Sequence, residues 1–193
     1  MGKIPVLKVV IAGDGNVGKT SLVRRYCEGK FEASRVATIG VDFQTKVVEL
    51  PAGSVKLSIW DMAGQDRFRV VRSGFYRGSL ATALVYDVTD LISLANLEKW
   101  HQEISGITPD QKFIVVGNKI DLERVEQVEA AQTFAERITA SYLETSALTG
   151  EGVTDMFRAL ASIASSHLSF PQDESVDQQN KSQRDEDPQS PLG

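Results

Sequence analysis

Cysteine is almost missing from this chain: among 193 residues only Cys27 is present. One thiol cannot close an internal disulfide, so the core must hold the fold, and a reducing, cytoplasmic compartment fits best. No apolar run approaches the roughly 20 residues that cross a bilayer. No N-terminal stretch has the charged, apolar and small-residue order of a secretory leader. Histidine is scarce as well. His101 and His167 stand on predicted helices with no carboxylate or cysteine at ligand spacing, so both are expected to face solvent. Cys27 falls in the predicted first helix and reads as a small buried hydrophobe rather than a redox group.

A strong basic field is also lacking. The net charge is −5, and residues 171–193 hold six acids (Asp173, Glu174, Asp177, Asp185, Glu186, Asp187) against Lys181 and Arg184. Residues 1–170 are left with about −1, which offers nothing to attract nucleic acid. The stretch 171–193 is rich in Gln, Ser, Asp and Pro and nearly free of apolar side chains. It is expected to be a disordered acidic tail behind one folded domain at 1–170. No internal repeat and no linker interrupts the chain before residue 170.

What is present is an alternation of apolar runs and helical patterns, the sign of an α/β fold built on a parallel sheet with helices on both faces. Strands are predicted at 6–12, 41–50, 55–60, 80–86, 113–117 and 142–144. The second and third are joined by the turn Pro51-Ala-Gly-Ser54 into an antiparallel hairpin. Helices are predicted at 19–28, 91–104, 125–139 and 153–168. In the last, Val153, Met156, Phe157, Leu160, Ile163 and Ala164 form one apolar face, which reads as core.

Directly after the first strand stands Gly13-Asp-Gly-Asn-Val-Gly-Lys-Thr20. A strand, a glycine loop, Lys-Thr and a helix make a phosphate-binding loop. Glycines let successive N–H groups of Gly15, Asn16, Val17, Gly18, Lys19, Thr20 and Ser21 point into one concavity that holds phosphate oxygens. Lys19 would reach the β and γ phosphates and the Thr20 hydroxyl would ligate Mg²⁺. A helix opening at Gly18 adds its positive dipole end. A nucleoside triphosphate is the expected ligand.

Asp61-Met-Ala-Gly64 follows the third strand. There a carboxylate can hold Mg²⁺ through its water shell, and the Gly64 N–H can meet the γ phosphate. Gln65 comes next, where its amide can orient the attacking water. Asn118-Lys-Ile-Asp121 lies at the end of the fifth strand. A carboxylate at Asp121 accepts from both N1–H and the 2-amino group of guanine, a donor pair that adenine lacks. A buried acid left unpaired by adenine costs several kcal/mol, enough for strong discrimination. Asn118 and Lys119 would tie the base to the phosphate loop, with the lysine stem along the ring. After the last strand, Ser146, Ala147 and Leu148 would close on the base, with the Ala147 N–H meeting guanine O6.

With these residues in this order the chain resembles a Ras-superfamily small GTPase, and within it the Rab family. Thr38-Ile-Gly-Val-Asp-Phe43, Trp60-Asp-Met-Ala-Gly-Gln-Asp-Arg-Phe68, Tyr76-Arg-Gly78 and Val85-Tyr-Asp-Val-Thr-Asp90 carry that resemblance, which extends over residues 6 to about 168. It implies the G-domain fold, a six-stranded, mostly parallel sheet with one antiparallel strand, and a cycle between GTP-bound and GDP-bound forms. Thr38 would complete Mg²⁺ coordination only when a γ phosphate is present, making Thr20, Thr38 and, through water, Asp61 the metal contacts. Phe31 would pack against the guanine, and Gly64 and Gln65 would begin a second switch. Phe43, Trp60 and Tyr76 would form the aromatic surface that effectors read, unless they are ordinary hairpin packing. Gly15 sits where a side chain would crowd Gln65 and the water. The implied partners are effectors, exchange factors and activating proteins, for a monomer working in vesicle trafficking or signalling.

Some residues depart from that pattern. Leu148 replaces the usual lysine and Met62 the usual threonine, the latter altering second-switch contacts. The C-terminal stretch has no cysteine for prenylation, and Val6 stands where a myristoylation signal needs Ser or Thr. An acidic tail is also repelled by an anionic leaflet. The expectation is therefore a protein working without a lipid anchor. Arg35 stands three residues before Thr38, a spacing that resembles heterotrimeric G-protein α subunits, and it is a candidate built-in arginine finger beside the catalytic set Lys19, Thr38 and Gln65. Two rivals remain. One is a scaffold that binds GTP and hardly hydrolyses it, against which Gln65 and Gly15 argue. The other is a P-loop kinase, against which Asn118 and Asp121 argue.

Overall fold

Along the first strand, β1 (Val6–Ala12), the side chains alternate between two cores, as a pleat of period two requires. Val9 and Ile11 join one apolar cluster and Val10 and Ala12 the other. The computed structural model describes residues 4–32, 38, 40–65, 69–125, 128–166 and 168. The expected tail at 171–193, Arg35 and His167 lie outside the described residues.

After β1 come α1 (Lys19–Glu28), β2 (Val41–Leu50), β3 (Gly53–Met62), α2 (Arg69–Tyr76), β4 (Ala81–Asp87), α3 (Leu91–Ala95) and α4 (Leu97–Ser105). They are followed by β5 (Lys112–Asn118), α5 (Val128–Arg137), β6 (Ser141–Thr145) and α6 (Val153–Ala164). The six strands form one sheet in the order β2-β3-β1-β4-β5-β6. Only the β2–β3 hairpin is antiparallel. One face is covered by α1 and α6, through Leu22, Val23, Val153, Met156, Phe157 and Leu160. The other is covered by α2, α4 and α5, through Tyr76, Leu97, Trp100, Ile104, Ala131 and Ala135. Among the described residues no helix is long and apolar enough to cross a membrane.

Four local differences from the sequence expectations have physical causes. The helix expected at 91–104 is two helices that meet at Asn96, whose side chain is drawn out to the Asp14 carboxylate at 2.6 Å. The helix expected at 125–139 ends at Arg137, and Thr139 beyond it takes a left-handed φ of 55°. The third strand runs on to Met62, so Asp61 belongs to the strand and pairs in register with Ile11 of β1 and Asp42 of β2. Met62 faces inward, fully buried in the second core cluster. Helix α2 has no counterpart in the sequence expectations: it is only eight residues long, and the face it buries carries Arg72 beside Tyr76 while Val70 is exposed, so it does not read as an apolar stripe.

In a parallel sheet, ligands sit beyond the carboxyl ends of the strands where the order reverses. Here that reversal is at β1, flanked by β3 and β4. The phosphate loop at 13–20, Asp61–Gly64, Asn118–Asp121 and Ser146–Leu148 stand at this edge, at the carboxyl ends of β1, β3, β5 and β6, whereas Tyr76-Arg-Gly78 precedes β4 at the opposite edge.

Candidate functional site

The loop between β1 and α1 is shaped by Gly13, where a Cβ would strike the Val85 carbonyl, and by Gly18. Gly18 caps α1 at φ 96°, and a Cβ there would collide with the Asn118 amide. Asn16 also takes a left-handed φ, of 64°. Strain of this kind in a non-glycine residue collects at ligand sites. Gly64 comes from the other side, so close that a Cβ would strike the backbone of Asp14 and Gly15. The second expected switch therefore packs directly onto the phosphate loop. A Cβ on Gly15 would meet Gln65 Cγ at 3.9 Å, an ordinary contact. The two residues are neighbours, but a methyl group alone does not crowd Gln65.

Lys19 is 6% exposed, and its amine donates to the Asp14 carbonyl at 2.6 Å. Burial lowers its pKa to about 8, against the opposing pull of Asp61 and Asp14. The unfolded chain therefore binds more protons than the fold between about pH 8 and 10.5, and Lys19 makes the ligand-free fold gain stability as pH rises through that window. Beside it Thr20 Oγ1 lies 2.8 Å from Thr38 Oγ1 and also donates to Asp61 Oδ2. Asp61 is 2% exposed, burial pushes its carboxyl pKa up, and its Oδ1 has no hydrogen-bond partner among the described residues. Three oxygen groups from a helix, a loop and a strand thus meet at one point, with one buried carboxylate oxygen left over.

The ends of β5 and β6 form the other half. Asn118, 1% exposed, donates from Nδ2 to the Val17 carbonyl at 2.8 Å, which ties this half to the phosphate loop. Its Oδ1 accepts from Thr145 Oγ1 at 3.1 Å and from the Ala147 N–H at 3.3 Å. Lys119 has a left-handed φ of 71°, and its amine pairs with Asp87 at the end of β4. The Asp121 carboxylate accepts from Ser146 Oγ at 2.5 Å and is otherwise exposed, so its burial would have to come from a bound base. Leu148 is 48% exposed. Its carbonyl and that of Ala147 accept from the Arg25 guanidinium on α1. Phe31 is half-buried and packs on the first core cluster.

Sequence reasoning missed Asp14, Asp87 and Arg25, whose carboxylates and guanidinium hold the loops in place. Asp14 accepts from Trp100 Nε1 at 2.8 Å as well as from Asn96. Asp87 also takes the Thr89 N–H and hydroxyl at 2.9 and 2.7 Å. Only the position of Asp87 at a strand end signalled it. Two expectations are corrected. Tyr76 is not on the surface: it is fully buried, its hydroxyl donating to Glu103 at 2.8 Å. Its place beside Trp60 is taken by Phe75, with ring centres 5.7 Å apart, and Phe43 stacks on Trp60 at 5.9 Å. His101 is half-buried with its ring edge against Phe113 at 4.9 Å, and burial lowers its pKa.

The family model that matches this chain is that of the Ras family, over residues 8–166. The Ras-related protein SEC4 of Candida albicans is 40% identical over 161 residues, covering 82% of this chain and 77% of the relative. The Ras-related protein Rab-4 of Dictyostelium discoideum is 45% identical over 163 residues, covering 81% and 78%. The Ras-related protein Rab-11C of the same organism is 43% identical over 158 residues, covering 80% and 70%.

Proposed function

This chain belongs to the Ras family, and on that premise we propose that it is a Rab-like switch in vesicle traffic, read by partner proteins when GTP is bound. The chain binds guanine nucleotide and hydrolyses GTP, as its family does, which disfavours the scaffold that barely hydrolyses. The observation that carries the switch is the meeting of Thr38 with Thr20 and Asp61. A residue from the segment between α1 and β2 reaches the permanent phosphate loop at a single point.

The unpaired, buried Oδ1 of Asp61 and the two adjacent hydroxyls suit Mg²⁺, a hard cation that takes few protein oxygens together with substrate phosphates. Thr20 and Thr38 would hold it directly and Asp61 through water. When bound, the ion neutralises charge on the β and γ phosphates. Lys19 exchanges the Asp14 carbonyl for phosphate oxygens, and the N–H groups of Gly15 to Ser21 hold the rest. Gln65 orients the attacking water, and Gly64 offers its N–H to the γ phosphate. Asp121 takes two guanine donors, with Asn118, Lys119, Ser146, Ala147 and Leu148 framing the base and Phe31 closing its edge. Loss of the γ phosphate removes what holds Thr38 and Gly64, and both loops are released together. Exchange factors, activating proteins and effectors are the partners this cycle requires.

Phe43, 63% exposed, together with Trp60 and Phe75, joins β2 and β3 to α2, so one partner touching this face senses both loops. Expressing Gln65→Leu, which holds the GTP form, is expected to alter the transport kinetics of vesicle cargo, and adding Phe43→Ala is expected to cancel the effect. Cargo kinetics unchanged by Gln65→Leu would count against a trafficking role.

Nucleotide affinity should also depend on pH through Lys19. Phosphate binds the protonated amine, whose pKa in the free site is about 8. Affinity is thus expected to fall as pH rises above 8, by up to about tenfold per unit. Fluorescent-nucleotide titrations between pH 7 and 10 read this directly, and a flat profile would contradict the role given to Lys19.

A further inference from the structure

Among the described residues, the largest fully buried side chain outside the phosphate and base contacts is a cation. Arg72 on α2 is 1% exposed. Its Nε and Nη2 donate to the two carboxylate oxygens of Glu103 on α4, each at 2.9 Å. The guanidinium lies 4.0 Å from the centre of the Trp100 ring. Tyr76 completes the cluster by donating to Glu103 Oε1 at 2.8 Å. A bidentate carboxylate and an aromatic face fix the plane of the guanidinium, which leaves Nη1 with one direction to point.

Nη1 points at the backbone of the second switch. It donates to the Gln65 carbonyl at 3.0 Å and lies 3.5 Å from that of Ala63. The same Trp100 whose face carries Arg72 donates from its ring nitrogen to Asp14 of the phosphate loop at 2.8 Å, and Asn96 donates to the other Asp14 oxygen. A continuous chain of contacts therefore runs from Asp14 through Trp100 and Arg72 to the main chain of Gln65.

We propose that Arg72 is a positioning residue for GTP hydrolysis: it sets the Gln65 backbone relative to the phosphate loop and so places the Gln65 amide for the attacking water. This rests on the assignment of Gln65 as the water-orienting residue. Arg72 acts through the Gln65 main chain, to which its Nη1 donates. The stake is geometric, since a displacement of about 1 Å in a catalytic group lowers rates by as much as roughly 10²-fold.

Arg72→Ala alone leaves the Glu103 carboxylate buried without its cation and endangers the fold. Two other variants avoid this: Arg72→Met with Glu103→Gln, which removes both charges, and Arg72→Lys, which keeps a cation but cannot span Glu103 and the Gln65 carbonyl in one plane. Each is preloaded with GTP. Single-turnover hydrolysis is followed beside GDP dissociation, with thermal melting as the check of folding. Hydrolysis is expected to slow by on the order of 10-fold to 10²-fold, with GDP dissociation changed less than about twofold. In a Gln65→Ala background the same replacements should change the remaining rate by less than about twofold, because Arg72 acts only through Gln65. Hydrolysis within about twofold of the unaltered protein in both variants overturns the proposal. So does an equal loss with and without Gln65, the pattern of a merely structural role. If Gln65→Ala itself leaves hydrolysis unchanged, the assignment of Gln65 fails and takes this one with it.

Discussion

Asp121→Asn is expected to weaken GTP binding by roughly 10⁴- to 10⁵-fold, the range by which a site built for a hydrogen-bond pattern rejects a ligand that lacks it. The same replacement should make xanthosine triphosphate the preferred nucleotide. The carboxylate offers two acceptors to the N1–H and 2-amino group of guanine, whereas an asparagine amide presents a donor there. Xanthine carries a carbonyl in place of that amino group and so matches the amide. The scaffold should survive, because Asn can still accept from Ser146 Oγ, which now bonds Asp121 at 2.5 Å. Competition among GTP, ATP and xanthosine triphosphate measures the switch. Unchanged preference for GTP would remove Asp121 from the base contacts.

Lys19→Met should act in opposite directions on binding and on the empty fold. Two charge-assisted hydrogen bonds to phosphate, each worth about 1.5–3 kcal/mol, are lost, so triphosphate affinity should fall by roughly 10²- to 10⁴-fold. The nucleotide-free protein should instead become more stable. A pKa lowered to about 8 by burial says that the charged amine is held at a net cost near pH 7. Relieving it is worth on the order of 1–3 kcal/mol. Thermal melts without nucleotide and nucleotide titrations on the same preparation separate the two effects. A lower melting temperature for the empty variant would mean that the bond to the Asp14 carbonyl outweighs the burial.

The strands and the site were legible where the chemistry is local. The run before Gly13 is apolar because β1 is buried on both faces, and Asn118 and Asp121 announce themselves because they follow such a run directly. What could not be read is whatever depends on contacts distant in the chain. Asn96 stands where two helices meet, and its amide is held by Asp14, 82 residues away. Tyr76 and Phe75 stand side by side, and only the docking of α2 on α4 decides which of them turns to Glu103 and which to Trp60. Arg72 looks like a surface residue in the sequence and becomes a core residue because Glu103 and Trp100 are waiting on another helix.

The central claim, a guanine-nucleotide switch that Gln65 resets, is tested most directly by the nucleotide the protein itself carries. Protein loaded with GTP and Mg²⁺ is freed of excess nucleotide, incubated, denatured, and its bound nucleotide identified over time. The account predicts first-order conversion of bound GTP to bound GDP with release of one phosphate per site, and GTP retained by Gln65→Leu. GTP that persists on the unaltered protein, or that Gln65→Leu converts at the same rate, would contradict it.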